Sequence, residues 1–257
     1  MDVVRIPDLA GKVFLVTGAS TGIGAAVARG LGAQGARVAV HYNRSAVEAE
    51  DVAAAVNSLG GEAWTVGGDV VDPAAVKAII AGTGERFGRI DGLINNAGAL
   101  VKRMPIAEAT DELYDQVLDL NVRSVVVACR AAIPWLQRQG GVIINTSSIA
   151  ARNGGGPGSG LYASAKAFVS NLTRGLAKEL VKDRIRVNAV APGVIATPFH
   201  DRFSTPEQLS QMVGAIPMGR AGAPEDCVGA YLFLASEALS GFVTGQILEV
   251  NGGQLMP

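Results

Sequence analysis

The chain has 257 residues, of which 49% are apolar, and a formal net charge of −1. That balance gives no electrostatic case for nucleic acid or an anionic membrane as partner, and the length suits a single α/β domain over 1–257 with a large core. The opening MDVVRIPDLAGK lacks the apolar run of a secretory signal, no stretch approaches a membrane span, and Cys129 and Cys227 fit no metal or redox spacing, so a cytoplasmic protein without a metal is expected.

Apolar runs of strand length alternate with helical patterns from end to end. Strands are expected at 12–17, 37–42, 63–66, 92–94, 142–146, 186–191 and 247–250, and helices at about 23–33, 45–59, 73–87, 111–138, 161–182 and 224–236. Most of the strands are continuously apolar, which suits burial on both faces. The alternation implies right-handed crossovers. The expected fold is therefore α/β: a Rossmann-like, doubly wound, mainly parallel seven-stranded sheet with helices on both faces. Ligands of such sheets bind beyond the carboxyl ends of the strands, so the residues that follow each strand carry the functional information.

After the first strand comes Thr17-Gly18-Ala19-Ser20-Thr21-Gly22-Ile23-Gly24. Gly18 to Gly22 fit the G-x-S-x-G turn that presents a nucleophilic serine. They equally fit a glycine-rich loop around a phosphate. A hydrolase needs an acid and then a histidine further on. His41 precedes any plausible acid, which leaves only His200. As a cradle, Gly18 permits the tight turn, Gly22 the close approach and Gly24 the packing of helix on strand. The helix that opens at Ile23 adds unpaired N–H groups and a partial positive charge. The cradle is the better fit.

The second strand ends Val40-His41-Tyr42-Asn43-Arg44-Ser45. Dinucleotide folds that prefer NAD usually place an acid at this point. Tyr42 stands there instead. Asn43 and Ser45 are hydrogen-bond donors, and Arg44 adds charge and a planar fork. NADP is thus the expected cofactor and NAD the alternative.

Gly68-Asp69-Val70 follows the third strand and Asn95-Asn96-Ala97-Gly98 the fourth. Asn121 lies in the helical run 111–138. Asn145-Thr146-Ser147-Ser148 closes the fifth strand, Tyr162-Ala163-Ser164-Ala165-Lys166 opens a helix, and Pro192-Gly193 with Thr197 follows the sixth strand. With the loop at 17–24, and in this order, these stretches resemble the short-chain dehydrogenase/reductase family in its single-domain branch, over nearly the whole chain. The resemblance implies an enzyme that moves hydride between a nicotinamide dinucleotide and a secondary alcohol or carbonyl. It implies Asn121, Ser148, Tyr162 and Lys166 as catalytic residues. It implies cofactor contacts from Gly18, Ser20, Thr21, Gly22, Ile23, Tyr42, Asn43, Arg44, Asp69, Val70, Asn95, Ala97, Gly98, Tyr162, Lys166, Pro192, Gly193, Val194 and Thr197. Many NADP-using relatives carry an arginine where this chain has Thr21, which counts against NADP.

Tyr162 and Lys166 are spaced i, i+4, on one face of a helix. A free phenol titrates near ~10, and an adjacent ammonium is expected to lower that value and fit the tyrosine for acid–base work. Ser148 follows a buried strand, where its hydroxyl can steady charge on a substrate oxygen. Ser147 competes for this role. Ser148 lies fourteen residues before Tyr162, one more than is usual in the family, with a glycine-rich stretch between them. Asn121 is a poor helix-interior residue because its amide competes for backbone groups. The resemblance implies that it bends its helix and relays protons to the lysine through water. Asn95 reads more as support for the central strand than as a reacting group.

Substrate candidates are Ser148, Arg152, Asn153, Tyr162, Phe199 and His200, with a substrate loop at about 193–220. The mixture suits a 3-oxoacyl thioester or a sugar or polyol. Arg138, Lys182 and Arg184 offer a basic rim for a carrier protein, which Asp183 interrupts. A non-catalytic nucleotide-binding protein is the alternative, though it has no need of the whole catalytic set, and a lyase or epimerase is expected to need a further domain. A homotetramer is expected, because the apolar runs 122–136, 231–234 and 247–250 exceed what a monomer exposes.

Overall fold

The computed structural model describes residues 5–256. Seven strands form one sheet: β1 (Val13–Val16), β2 (Arg37–Tyr42), β3 (Glu62–Gly67), β4 (Gly92–Asn95), β5 (Gly141–Thr146), β6 (Ile185–Pro192) and β7 (Ile247–Val250). Their order is β3-β2-β1-β4-β5-β6-β7, and every pairing is parallel.

The unbroken apolar runs have a simple cause. Successive side chains point to opposite faces of a strand, and both faces are covered. Phe14, Val16, Val38, Val40 and Ile144 join one core with α1 (Gly22–Ala33), α2 (Ala46–Ser58) and α10 (Pro224–Ala235). Val13, Leu15, Ala39, Leu93 and Ile143 join the other core with α3 (Pro73–Phe87), α5 (Ser124–Leu136) and α7 (Gly160–Leu180).

The helix expected over 111–138 is not continuous. It runs as α4 (Asp111–Leu118), a π-turn at Asp119–Arg123, and α5. The wide turn is centred on Asn121, whose side chain bonds main-chain groups. Four short helices fall where the sequence reads as loop: α6 (Ala150–Asn153), α8 (Pro198–Phe203), α9 (Pro206–Gly214) and α11 (Glu237–Ser240).

The apolar runs behind the tetramer expectation are mostly core. Val125, Val127, Ala128, Cys129, Ala132, Leu136, Tyr231, Leu232 and Leu234 are all buried. The two central helices need that surface to cover the sheet. Leu248 of the run 247–250 is exposed, and the other exposed apolar side chains, among them Phe168, Val181, Leu239 and Phe242, lie outside these runs. Among the described residues no helix is long and apolar enough to cross a membrane, and no His, Cys, Asp and Glu group is arranged to hold a metal.

Candidate active site

The strand order turns back between β1 and β4, so the loops after these strands part and open a crevice at the carboxyl edge. The β1–α1 loop lines it. Gly18 and Gly22 have φ of +62° and +56°, the left-handed region that glycine enters without strain. A Cβ at Gly18 would lie 3.0 Å from the Ala97 Cα, and one at Gly24 would collide with the Gly18 carbonyl oxygen. Thr21 caps α1 without a side-chain bond, and the first turn holds no acid. The N–H groups of that turn have no partner within the helix and carry its partial positive charge toward the crevice. This cradle fits a dinucleotide pyrophosphate.

Neighbouring loops complete the crevice. Asn96 donates to the carbonyls of Thr17 and Gly18, both at 3.0 Å, and the Thr17 hydroxyl accepts from the amides of Asn96 and Ala97 at 2.9 and 3.0 Å. Sequence reasoning passes over this Thr17–Asn96 tie, although both residues lie inside its motifs. A Cβ at Gly22 would touch the Thr197 methyl at 3.3 Å, so the segment after β6 meets the glycine loop. Pro192 and Gly193 bond Ile149 and Val250 through the main chain, and Val194 is buried. Asp69 accepts the Val71 amide at 3.0 Å, while Val70 packs into the core. Asn95 turns inward to Asn145 Oδ1 at 2.9 Å and Cys129 Sγ at 3.3 Å, in support of the central strands. At the end of β2, the Tyr42 ring lies against Gly67, and Asn43 and Arg44 are exposed.

α7 carries Tyr162 and Lys166. Lys166 is buried; its Nζ donates to the Thr146 carbonyl at 2.8 Å and sits 5.7 Å from the Tyr162 ring centroid. Burial pulls the ammonium down to about 8. Asn121 is fully buried, donating to the Ala99 and Val117 carbonyls at 2.8 and 3.0 Å and accepting from the Ala99 amide at 3.2 Å. Gly98 lies between the two. A Cβ there would be 2.7 Å from Asn121 Oδ1 and 3.1 Å from Lys166 Nζ, so glycine is needed for the close approach.

One expectation is corrected. The phenol of Tyr162 is not lowered by Lys166. Withdrawal from water pushes it up to about 12, and a hydrogen bond with Ser148 works weakly the other way. The ammonium sits 5.7 Å from the ring centroid and donates to Thr146, and desolvation is the larger influence on the phenol.

The paired serines separate clearly. Ser147 is buried, donates to the Lys166 carbonyl at 3.1 Å and pairs with the Ser170 hydroxyl at 2.6 Å. Ser148 is partly exposed, accepts the Ala150 amide at 3.1 Å and reaches Tyr162. We expect Ser148→Ala to lower kcat ~10²-fold, the scale for losing one donor to a developing oxyanion. Ser147→Ala should instead cost ~1–3 kcal/mol of stability through the unsatisfied Ser170 and Lys166 groups. Turnover and melting curves of both variants check this, and the opposite pattern would exchange the roles.

On the substrate side, the Phe199 ring lies 5.8 Å from Tyr162, 5.4 Å from His200 and 5.0 Å from Phe203. His200 Nδ1 pairs with the Ser204 hydroxyl at 3.0 Å, and burial and Arg103 lower its pKa. A hydrolase would need an acid on that nitrogen. Arg103 bonds the carbonyls of Phe203 and Pro157 at 2.6 and 3.2 Å, joining α8 to the loop after α6.

Two substrate candidates are committed elsewhere. Arg152 pairs with Glu249 on β7 at 3.2 Å, and Asn153 accepts the Gly155 amide at 2.9 Å to close its own turn. Short polar residues before glycine favour such turns. The basic rim fails within one chain, since Arg138, Lys182 and Arg184 precede β5 and β6 at the edge opposite Tyr162. There Arg138 stacks on Trp135 and Asp183 accepts from Gln137.

Residues 18–254 match the family model described as Enoyl-(Acyl carrier protein) reductase. The 3-oxoacyl-[acyl-carrier-protein] reductase of Synechocystis sp. is 39% identical over 253 residues, 96% of this chain and 98% of that protein. The 3beta-hydroxysteroid dehydrogenase 1 of Eggerthella lenta is 39% identical over 252 residues, 97% of this chain and 95% of that protein. Among solved structures, the NADH-dependent reductase A1-R' responsible for alginate metabolism has a TM-score of 0.91 at 39% identity, covering 98% of this chain and 100% of that one; it is also solved in complex with NAD. Likeness of this extent in sequence and in three dimensions leaves one conclusion: the chain belongs to the short-chain dehydrogenase/reductase family, as a nicotinamide-dependent oxidoreductase acting on CH–OH and carbonyl groups.

Proposed function

We propose that this oxidoreductase reduces 3-oxoacyl thioesters to 3-hydroxyacyl thioesters and prefers NADP(H), with Asn121, Ser148, Tyr162 and Lys166 as its catalytic group. The observation that carries the reading is the meeting of the Tyr162 phenol with the Ser148 hydroxyl, above a buried lysine and beside the glycine cradle. The nicotinamide, when bound, supplies the hydride. Tyr162 gives its proton to the carbonyl oxygen as negative charge builds there, and Ser148 steadies that oxygen with a hydrogen bond. Lys166 holds positive charge close to the phenolate that is left. In oxidation Tyr162 takes the proton from the alcohol.

The thioester is supported by the relative from Synechocystis and by the Phe199–Phe203 wall beside Tyr162. A sugar or polyol is the second reading. It is favoured by the polar His200–Ser204 pair on the same wall and by the neighbour that serves alginate metabolism. Absorbance at the reduced-nicotinamide band tests both against a panel of 3-oxoacyl thioesters, sugars and polyols. We expect at least tenfold higher kcat/KM on the thioester, and the reverse ranking selects the second reading.

The segment at about 193–220, with α8 and α9, is the proposed substrate loop. A cytoplasmic homotetramer is proposed, supported by buried unpaired thiols and by the exposed Phe168, Leu239, Phe242 and Leu248. Light scattering at micromolar concentration should give four times the chain's mass, and a monomer's mass would refute the tetramer.

A further inference from the structure

His41 lies on β2, 1% exposed, and takes no part in the chemistry above. Its Nδ1 accepts the Gly18 N–H at 3.0 Å, and its Nε2 lies 3.0 Å from the Gly68 carbonyl oxygen. An amide N–H only donates and a carbonyl only accepts, so both partners demand the neutral ring with its proton on Nε2. The main chain repeats the tie. Ala19 N donates to the His41 carbonyl at 2.8 Å, and Gly68 N to the Tyr42 carbonyl at 3.0 Å. One residue thus fastens the first turn of the glycine loop and the start of the Gly68–Asp69 segment to the same strand.

We infer that His41 is a positioning residue for the cofactor: its ring sets the glycine-rich loop and the Gly68–Asp69 segment at a fixed distance, and so aligns the two ends of the dinucleotide site. The inference rests on the proposed roles of the Gly18–Ile23 loop and Asp69. A proton added at Nδ1 would oppose two donors and release Gly18. Burial holds the ring's pKa below its ordinary value, with the Gly68 carbonyl and then Asp69, the charged group it faces, pulling the other way. The folded protein therefore favours the neutral ring. Its contribution to stability is whole above ~6.5 and declines as pH falls from there toward the lowered value, while the tie itself is lost in the folded protein as pH falls through that lowered value.

The test is the dissociation constant of NADP and of NAD, by fluorescence titration between about pH 5.5 and 8, with matching kcat and cofactor KM. His41→Asn keeps an acceptor at the δ position and cannot titrate. It should bind cofactor within about threefold of the wild type at pH 8 and lose the extra weakening the wild type shows at acid pH. His41→Leu should weaken cofactor binding at least tenfold, with the loss in cofactor KM rather than in kcat. Binding within threefold in a folded His41→Leu protein overturns the inference, as does an unchanged acid limb in His41→Asn. If His41→Leu does not fold, the comparison of wild type with His41→Asn decides alone. Thr21→Asp separates the underlying reading, since aspartate caps a helix well but sets a carboxylate where the phosphate would lie. Unchanged affinity in Thr21→Asp overturns the loop's role. Weakened affinity there, with His41 variants that bind like the wild type, overturns only the inference about His41.

Discussion

Tyr162→Phe should lower turnover ~10²–10⁴-fold and leave cofactor affinity within about threefold, because it removes the proposed proton donor and little else. The ring keeps its place against Phe199, at 5.8 Å between centroids, so packing changes little. The raised phenol pKa, about 12, fixes the sign of the pH dependence. At neutral pH the phenol is protonated, the form that reduction needs. Oxidation needs the phenolate, whose share grows with pH. The wild type should therefore oxidise alcohols faster as pH rises above neutrality, while reduction gains nothing from the same change. The phenylalanine variant should be nearly inert in both directions. Steady-state kinetics in each direction, with cofactor titration, check this. Retention of more than a tenth of wild-type activity removes Tyr162 from the role.

The strands were legible because their signal is local. Val13–Val16 and Ile185–Pro192 are apolar at every position or nearly so, since each face of the sheet meets its own helical layer. The break at Asn121 was legible only as an awkward residue. That its amide would bond Ala99 and Val117 and widen the turn depends on the loop after β4, far away in sequence. Glycine 98 shows the same limit. The motif contains it, but the reason is the approach of Asn121 and Lys166 from two other helices. Arg152 and Asn153 looked like substrate groups by position and type, yet one is claimed by Glu249 on β7 and the other by its own turn. The i, i+4 spacing of Tyr162 and Lys166 speaks only for a pairwise lowering of the phenol. Desolvation, which spacing does not carry, outweighs the lysine when that lysine is itself buried and bonded to Thr146. The sequence marks His41 only as a histidine in the wrong order for a triad, because its two partners come from loops on either side of β2.

Tyr42→Asp combined with Arg44→Ala should move selectivity toward NAD by more than tenfold. The Gly67 backbone packs against Tyr42 at the end of β2, and no acid stands there to repel a 2′-phosphate. Arg44 is exposed and has no ion-pair partner among the described residues, so its charge is uncommitted. Ser45 caps α2 without a side-chain bond, which leaves its hydroxyl free to donate beside it. Losing one charge-assisted contact costs roughly 1.5–3 kcal/mol, and each 1.4 kcal/mol is about a factor of ten. The new carboxylate adds repulsion toward NADP and an acceptor for the ribose hydroxyl of NAD. Two observations press the other way: Thr21 stands where an arginine would add a second phosphate contact, and the solved neighbour at 39% identity is an NADH-dependent reductase. They make the wild-type ratio the decisive measurement. With kcat/KM for both cofactors on both proteins, a wild type that favours NADP and a double variant that reverses it assign the choice to the end of β2. A wild type that already favours NAD tenfold would mean that Arg44 points into solvent and that Tyr42 discriminates nothing.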